Sequence, residues 1–186
     1  TQSRSSAASD VYKRQEYAKD IDRAVFPGNQ GGPFMHVIAA KAVCFRENMT
    51  SERRNIMRQV VRNSQALASE LSGRGFNLVS GGTDNHLILC DLTNKGVTGK
   101  EAEAALGEAG ITLNKNTVPY DRQSPFVTSG IRIGTPSVTV RGMREVEMRQ
   151  IGSWIGDVVA DHSNVELKKR IREESASLCA SFPVYR

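Results

Sequence analysis

The alternation of strand-like and helix-like segments after residue 75 restricts the fold more than any other feature of the chain. The runs "FNLVSGG", "NHLILCDL", "ITLN" and "GIRIGT" are short and apolar and lie beside glycine, asparagine or aspartate, as β-strands do. The segment "TGKEAEAALGEAG" separates the second strand from the third. Its Thr98 and Glu101 have the spacing of a capping box, which opens a helix that Gly110 closes. This succession predicts a small α/β domain.

Two further helices follow the fourth strand. The segment "RGMREVEMRQIGSWIGDVVADH" is predicted to be a long amphipathic helix, and a last helix covers about 165–180. The apolar side of the long helix is predicted to consist of Met143, Val146, Ile151, Trp154, Ile155 and Val158.

The first part of the chain differs from the rest in composition and in its predicted elements. Residues 1–15 are polar, serine-rich and without periodicity, so we expect a disordered or foreign leader there. The loop "AVFPGNQGGP" precedes a helix whose first turn is predicted to contain Pro33, and a second helix is predicted over 51–72. We therefore divide the chain into the leader, a segment covering 16–49 and an α/β domain covering 50–186.

Composition excludes several classes of protein. The chain has 186 residues, of which 39% are hydrophobic and 24% charged, and it has no apolar run long enough to span a bilayer. Its net charge of +5 is spread over helices that also carry glutamate, whereas nucleic-acid-binding modules concentrate basic and aromatic residues. Three widely spaced cysteines predict reduced, at least partly buried thiols. We expect no nucleic-acid or membrane partner, and a cytoplasmic or organelle-matrix setting.

Arg132 lies between two isoleucines in the fourth strand. Because side chains alternate along a strand, Ile131 and Ile133 are predicted to point to one face and Arg132 to the other. An edge strand whose polar face is in water accounts for this pattern. So does an arginine held on a rigid strand to bind a carboxylate or phosphate, which its planar guanidinium matches. The residues alone leave both interpretations open.

The loop "GNQGGP" leaves a similar choice. Its glycines allow backbone N–H groups to approach an anion, and the N-terminus of the following helix favours negative charge. The loop matches neither a Walker motif nor a dinucleotide fingerprint, however, and a tight turn between domains explains it equally well.

Taken together, four long segments resemble the serine hydroxymethyltransferase family. They are "AVFPGNQGGPFMHVIAAKAV", "LVSGGTDNHLILCDL", "GITLNKNTVPYD" and "SPFVTSGIRIGTPSVTVRGM", in the family's order and with similar spacing. The resemblance covers 16–186. It implies a pyridoxal-phosphate-dependent transferase fold (aspartate-aminotransferase-like, fold type I), in which 16–49 ends the large domain and 50–186 forms the C-terminal small domain. It also implies interconversion of serine plus tetrahydrofolate with glycine plus 5,10-methylenetetrahydrofolate.

The resemblance also implies roles for individual residues. Arg132 is expected to bind the carboxylate of the amino-acid substrate. Gly31 and Gly32 belong to the loop that contributes a backbone amide to the phosphate of pyridoxal 5'-phosphate in a neighbouring subunit, so a homodimer or tetramer is expected. No metal site is implied. The tetrahydrofolate site is expected to be lined by Asn116, Ser124, Pro125 and Phe126.

The family's catalytic residues are expected to lie outside this chain. The lysine that forms a Schiff base with the cofactor follows a run of threonines and a histidine in the family, and no such run precedes "FPG" here. Lys41 and Lys115 lack that context. His36 and His86 have no second ligand at metal spacing, so we interpret them as structural. We therefore expect a C-terminal fragment that is inactive alone.

Two alternative functions remain open. One is a fragment of a folate-independent aldolase or aminotransferase of the same fold type. The segments "NKN" and "SPF" argue against it. The other is a non-enzymatic α/β module that binds an anionic partner through its basic helices, whose affinity would fall steeply with salt.

Overall fold

The computed structural model describes residues 17–184. The predicted leader, 1–15, lies outside the described residues. The chain forms two compact units, the first ending at Met49 and the second beginning at Thr50. That the first unit is the end of a larger domain stays a prediction.

The first unit consists of helices and the glycine-rich loop. Helix α1 covers Ala18–Arg23, an irregular helical turn covers Ala24–Asn29, and α2 covers Met35–Asn48. The prediction that Pro33 lies in the first turn of α2 is wrong, because the next residue, Phe34, is still extended (ψ 108°) and caps the helix. None of the described residues of this unit is buried.

Within the described residues, the second unit has five α-helices and four strands. The helices are α3 (Ser51–Gly73), α4 (Gly99–Glu108), α5 (Pro136–Val140), α6 (Glu145–Ala160) and α7 (Val165–Ser181). The strands are β1 (Asn77–Leu78), β2 (Leu87–Asp91), β3 (Asn114–Asn116) and β4 (Gly130–Gly134). The predicted mixed α/β fold is confirmed.

The four strands form one antiparallel sheet in the order β1-β2-β4-β3. Arg132 on β4 is in register with Leu89 on β2 and with Asn114 on β3. Since paired residues point to the same side of a sheet, these three residues share one face. Arg132 therefore lies on an inner strand with a neighbouring strand on each side, so the edge-strand interpretation is wrong.

The two faces of the sheet differ in burial. Ile88, Cys90 and Ile131 are fully buried, and Ile133 is 7% exposed, so one face belongs to the core beneath the helices. On the other face Arg132, Asn114 and Gly134 are exposed and Leu89 is half-buried. The predicted alternation around Arg132 is confirmed.

The third strand covers Asn114–Asn116, so the prediction that it covers 111–114 is wrong. Gly110, with φ of +79°, ends α4 in a Schellman motif. In this motif Gly110 N donates to Gly107 O (3.1 Å) and Ile111 N donates to Leu106 O (2.8 Å). Ile111 therefore completes the helix end, and pairing with β4 begins three residues later.

The capping box predicted for α4 is present. Glu101 N donates to Thr98 Oγ1 (3.2 Å), and Thr98 N donates to Glu101 Oε2 (2.9 Å). Of the residues predicted for the apolar side of the long helix, Ile151, Trp154, Ile155 and Val158 are buried or half-buried on α6. Two predictions are wrong: Met143 is buried but precedes α6, and Val146 is 70% exposed. Val146 is two residues from the fully buried Met148, which places it about 200° away around the helix.

Buried polar contacts tie α3 to the segment that follows β4. Asn63 Nδ2 donates to Thr139 Oγ1 (2.8 Å) and to Met143 O (2.9 Å), and Thr135 Oγ1 donates to Val60 O (3.0 Å). Each of these donors is buried and has an acceptor, so the contacts favour one arrangement of the chain. They fix the carboxyl end of the strand that carries Arg132.

Replacing Gly99 by alanine is expected to destabilise the 186-residue chain. A Cβ at this buried position would overlap Gly130 O and Thr128 Oγ1. Relief would require separating α4 from the start of β4, where Gly99 N donates to Thr128 O (2.9 Å). We expect a loss of about 1–3 kcal/mol in the free energy of unfolding, measured by urea denaturation.

Gly107→Ala is the matched control for this prediction, because it lies in the same helix and its Cβ would meet no atom within 4 Å. Here we expect a gain of about 0.5–1 kcal/mol from the better helix propensity of alanine. Equal effects of the two substitutions would contradict the close approach at Gly99.

Candidate functional site

A groove lies on the exposed face of the sheet in the second unit. Its cavity volume is about 630 Å³, and the loop between β1 and β2 forms one wall. Arg132 and Asn116 line it from the sheet, together with the half-buried Leu89. Two residues singled out from the sequence are thus brought to one cavity by the pairing of β3 with β4.

Arg132 is free to bind a ligand in this groove. It is exposed, and its guanidinium makes no hydrogen bond or ion pair with any of the residues that the structure describes. Its backbone is held in the sheet by strands on both sides. A permanent charge on a rigid strand, with its donors unused, is suited to a carboxylate.

The loop covering 79–85 forms the facing wall, and the sequence did not identify it as part of a site. Ser80 has a left-handed backbone (φ +63°), which is unfavourable for a residue other than glycine. The loop is held by Thr83 Oγ1, which donates to Leu87 O (2.7 Å), and by Asn85 Oδ1, which accepts from Leu87 N (2.8 Å). The available signal was "SGGTDN", a dense run of turn-forming residues between two strands.

Asn116 lies at the end of β3. Its Nδ2 donates to Thr117 O (2.7 Å), which fixes the amide plane, while its Oδ1 accepts no hydrogen bond from any residue between 17 and 184. This oxygen is available as an acceptor in the groove that Arg132 also lines.

Ser124, Pro125 and Phe126 lie on the connection between β3 and β4, not in the groove lining. All three are exposed, and the Phe126 side chain is 84% exposed. The backbone of this segment is nevertheless ordered by a turn, in which Ser124 O accepts from Val127 N (3.0 Å) and Thr128 N (2.9 Å). The connection therefore exposes the Phe126 ring on a backbone that is held by hydrogen bonds.

The carboxylate of Asp121 holds this connection together. It accepts from Ser129 Oγ (2.6 Å), Gln123 N (2.8 Å), Ser129 N (2.9 Å) and Val118 N (3.2 Å). The hydrogen bond from the Ser129 hydroxyl, followed by those from the backbone of Gln123, Ser129 and Val118, lowers the pKa of Asp121 to about 2.

This depressed pKa predicts how the connection responds to acid. A carboxyl whose pKa is lower in the folded state stabilises the fold above its unfolded pKa of about 3.9. That stabilisation is lost as the pH falls through about 2. An NMR titration of the Asp121 carboxyl carbon in the folded chain should therefore have its midpoint near pH 2. A midpoint near pH 4 would contradict the hydrogen bonding described here.

Gly31 and Gly32 lie in the first unit, in the loop that precedes α2. A Cβ at either glycine would meet no atom within 4 Å. Their backbone N–H groups make no hydrogen bond within the part of the chain that the structure describes. Free, unobstructed N–H groups ahead of a helix N-terminus fit an anionic group such as a phosphate.

The lysines and histidines considered from the sequence occupy other places. Lys115 is in register with Ile131, so it lies on the sheet face opposite Arg132, where its Nζ is 3.8 Å from Glu103. Lys41 and His36 are exposed on α2, and His86 is exposed before β2. No three potential metal ligands cluster among the described residues.

One expectation about the cysteines is wrong. Cys90 is buried, which raises the pKa of its thiol to about 12, and Cys179 is half-buried, but Cys44 on α2 is exposed. All three are free thiols. None of the helices within residues 17–184 is both long enough and apolar enough to span a membrane.

Comparison with known proteins adds independent information. Residues 4–155 match the family model described as serine hydroxymethyltransferase, so the match starts within the segment that we expected to be a foreign leader. The chain is 60% identical over 171 residues to "Serine hydroxymethyltransferase" of Methanospirillum hungatei. It is 54% identical over 172 residues to "Serine hydroxymethyltransferase 1" of Pseudomonas aeruginosa and 55% identical over 171 residues to "Serine hydroxymethyltransferase" of Acinetobacter baylyi. Each alignment covers 92% of this chain and 41% of the relative, so the chain spans less than half the length of these relatives.

Proposed function

The chain belongs to the serine hydroxymethyltransferase family, and from this premise we propose that the protein containing it interconverts serine plus tetrahydrofolate with glycine plus 5,10-methylenetetrahydrofolate. The observation that carries the proposal is the exposed guanidinium of Arg132, which has no partner among residues 17–184 and is held on an inner strand in a groove that Asn116 shares. Family membership favours this activity over the folate-independent and non-enzymatic alternatives.

Arg132 binds the carboxylate of serine or glycine in this proposal. Two parallel N–H···O bonds from the planar guanidinium fix both the position and the rotation of the carboxylate. Since the carboxylate is attached to the reacting carbon, this contact also sets which bond at that carbon faces the cofactor. Orientation of this kind converts binding energy into rate.

Pyridoxal 5'-phosphate is the proposed cofactor, and the loop at Gly31 and Gly32 fits its phosphate. The free N–H groups of this loop can donate to phosphate oxygens, and the absence of side chains allows close approach. When bound, the cofactor supplies an electron sink for the negative charge that develops at the substrate carbon. We propose that the loop serves the cofactor of a neighbouring subunit, so that the complete protein is at least a homodimer, located in the cytoplasm.

Tetrahydrofolate is proposed to contact Asn116 and the exposed segment 124–126. The free Oδ1 of Asn116 accepts from a donor on the pterin ring system, and the exposed ring of Phe126 packs against an aromatic part of the ligand. The first contact lies on β3, and the second lies on the connection that follows it.

The test is the folate dependence of the complete protein that contains this segment. Conversion of serine to glycine should rise with tetrahydrofolate and saturate, and Phe126→Ala should raise the KM for tetrahydrofolate without raising the KM for serine. Conversion that ignores tetrahydrofolate would favour the folate-independent alternative instead.

A further inference from the structure

The carboxylate of Asp121 is a main anchor of the connection between β3 and β4. Asn116 and Gly130 are paired, so residues 117–129 leave and return to the same point of the sheet. Asp121 bonds to both legs of this connection, to Val118 on the outgoing leg and to Ser129 on the returning leg. It thereby closes a smaller loop that contains the exposed segment 124–126.

The closed loop is anchored on its outer side as well. At the start of α4, Gly99 N donates to Thr128 O (2.9 Å) and Lys100 N donates to Val127 O (3.0 Å). Leu92 N donates to Ser129 O (2.8 Å). These contacts fix the backbone after 124–126, and the hydrogen bond from Gln123 N to Asp121 fixes it before, whereas the side chains of this segment are exposed. Such a loop presents a preformed surface rather than one that must be ordered by its ligand.

We propose that Asp121 is a positioning residue for tetrahydrofolate, which sets the affinity of the 124–126 segment without contacting the ligand. This inference rests on the function proposed above. All four groups that bond to the carboxylate are donors, two on each oxygen. An amide in its place would direct an NH2 group at one or two backbone N–H groups: at Gln123 N in one orientation, and at Val118 N and Ser129 N in the other. The connection thus requires a charged carboxylate at this position.

The experiment compares Asp121→Asn with Asp161→Asn in the complete enzyme. Asp161 also stabilises a turn, the one between α6 and α7, where its carboxylate accepts from Asn164 Nδ2 (2.9 Å). No residue of that turn lines the groove. We expect Asp121→Asn to raise the KM for tetrahydrofolate roughly tenfold or more, because hydrogen bonds to a charged group are lost. The affinity for serine, measured without folate, should stay within about twofold, because Arg132 is held by other strands. Asp161→Asn should change neither value.

Ser129 provides a milder variant, in case Asp121→Asn prevents folding. Ser129→Ala removes one of the four hydrogen bonds and should raise the KM for tetrahydrofolate about threefold, whereas Ser129→Thr keeps the hydroxyl and should restore the parent value. A parallel loss of serine and folate affinity in Asp121→Asn and Ser129→Ala would overturn the positioning role, and so would no change in either.

The direct contacts separate this inference from the proposed function. If Phe126→Ala raises the KM for tetrahydrofolate but Asp121→Asn does not, the positioning role is wrong while the folate site stands. If Phe126→Ala and Asn116→Ala leave that KM unchanged, the folate site itself is misplaced, and the positioning role fails with it.

Discussion

Replacing Arg132 by lysine is expected to weaken serine binding by the complete enzyme about ten- to one-hundredfold. Lysine keeps the positive charge but cannot form the two parallel hydrogen bonds of a guanidinium. The loss of one charge-assisted hydrogen bond costs roughly 1.5–3 kcal/mol. The carboxylate can then rotate about the remaining contact, so turnover should fall as well.

Arg132→Ala should have the larger effect on serine affinity. It removes both hydrogen bonds and leaves the carboxylate of the bound substrate without a cationic partner, which costs more than an imperfect contact. Cofactor content should be unchanged in both variants, because the proposed phosphate contact is made by the loop at Gly31 and Gly32.

Serine affinity, turnover and bound cofactor should be measured together for these two variants and for Arg149→Lys. Arg149 is exposed on α6 and makes no hydrogen bond or ion pair within the described part of the chain, so it controls for the loss of a surface guanidinium. Serine affinity and turnover of Arg132→Lys within about twofold of the parent, well below the loss expected from one hydrogen bond, would identify Arg132 as a surface arginine without a ligand.

The isolated 186-residue chain should form no stable covalent adduct with pyridoxal phosphate. Such an adduct requires a lysine whose amine is activated and held against the cofactor. Lys115 is paired with Glu103 on the opposite side of the sheet from Arg132, and Lys41 is exposed on α2. Neither environment holds a lysine against a cofactor.

Borohydride reduction followed by mass spectrometry tests this prediction. Surface lysines should give only scattered, substoichiometric labelling, whereas the complete protein, as the positive control, should be labelled at one lysine. A stoichiometric adduct at a single lysine of the isolated chain would contradict the expectation that the chain is inactive alone.

The parts of the fold with a strong local pattern could be predicted from the sequence. Thr98 and Glu101 define the start of α4, and the alternation of Ile131, Arg132 and Ile133 identifies both the strand and its exposed face. These features depend on residues a few positions apart, so one sequence contains all the information that they need.

The features that the sequence did not predict correctly depend on contacts between distant segments or on how a helix ends. The run "ITLN" predicts a strand that begins at Ile111, but the N–H of this residue completes the end of α4. No local pattern marks the 79–85 loop as part of a candidate site, because it faces Arg132 across the groove only once the sheet has formed. The hydrogen bonds of Asp121 follow no periodic sequence pattern, so they could be identified only from the structure.

The exposed face of the sheet carries the arginine proposed to bind the substrate carboxylate, whereas the buried face packs into the core. Asn114, Arg132 and Gly134 lie on the exposed face, while Ile131 and Ile133 carry the packing of the same hairpin. Substitutions at Asn114 or Arg132 should therefore leave the free energy of unfolding within about 0.5 kcal/mol of its parent value. A sheet built in this way can evolve: substitutions on the exposed face can change ligand preference, while the buried face maintains the stability of the domain.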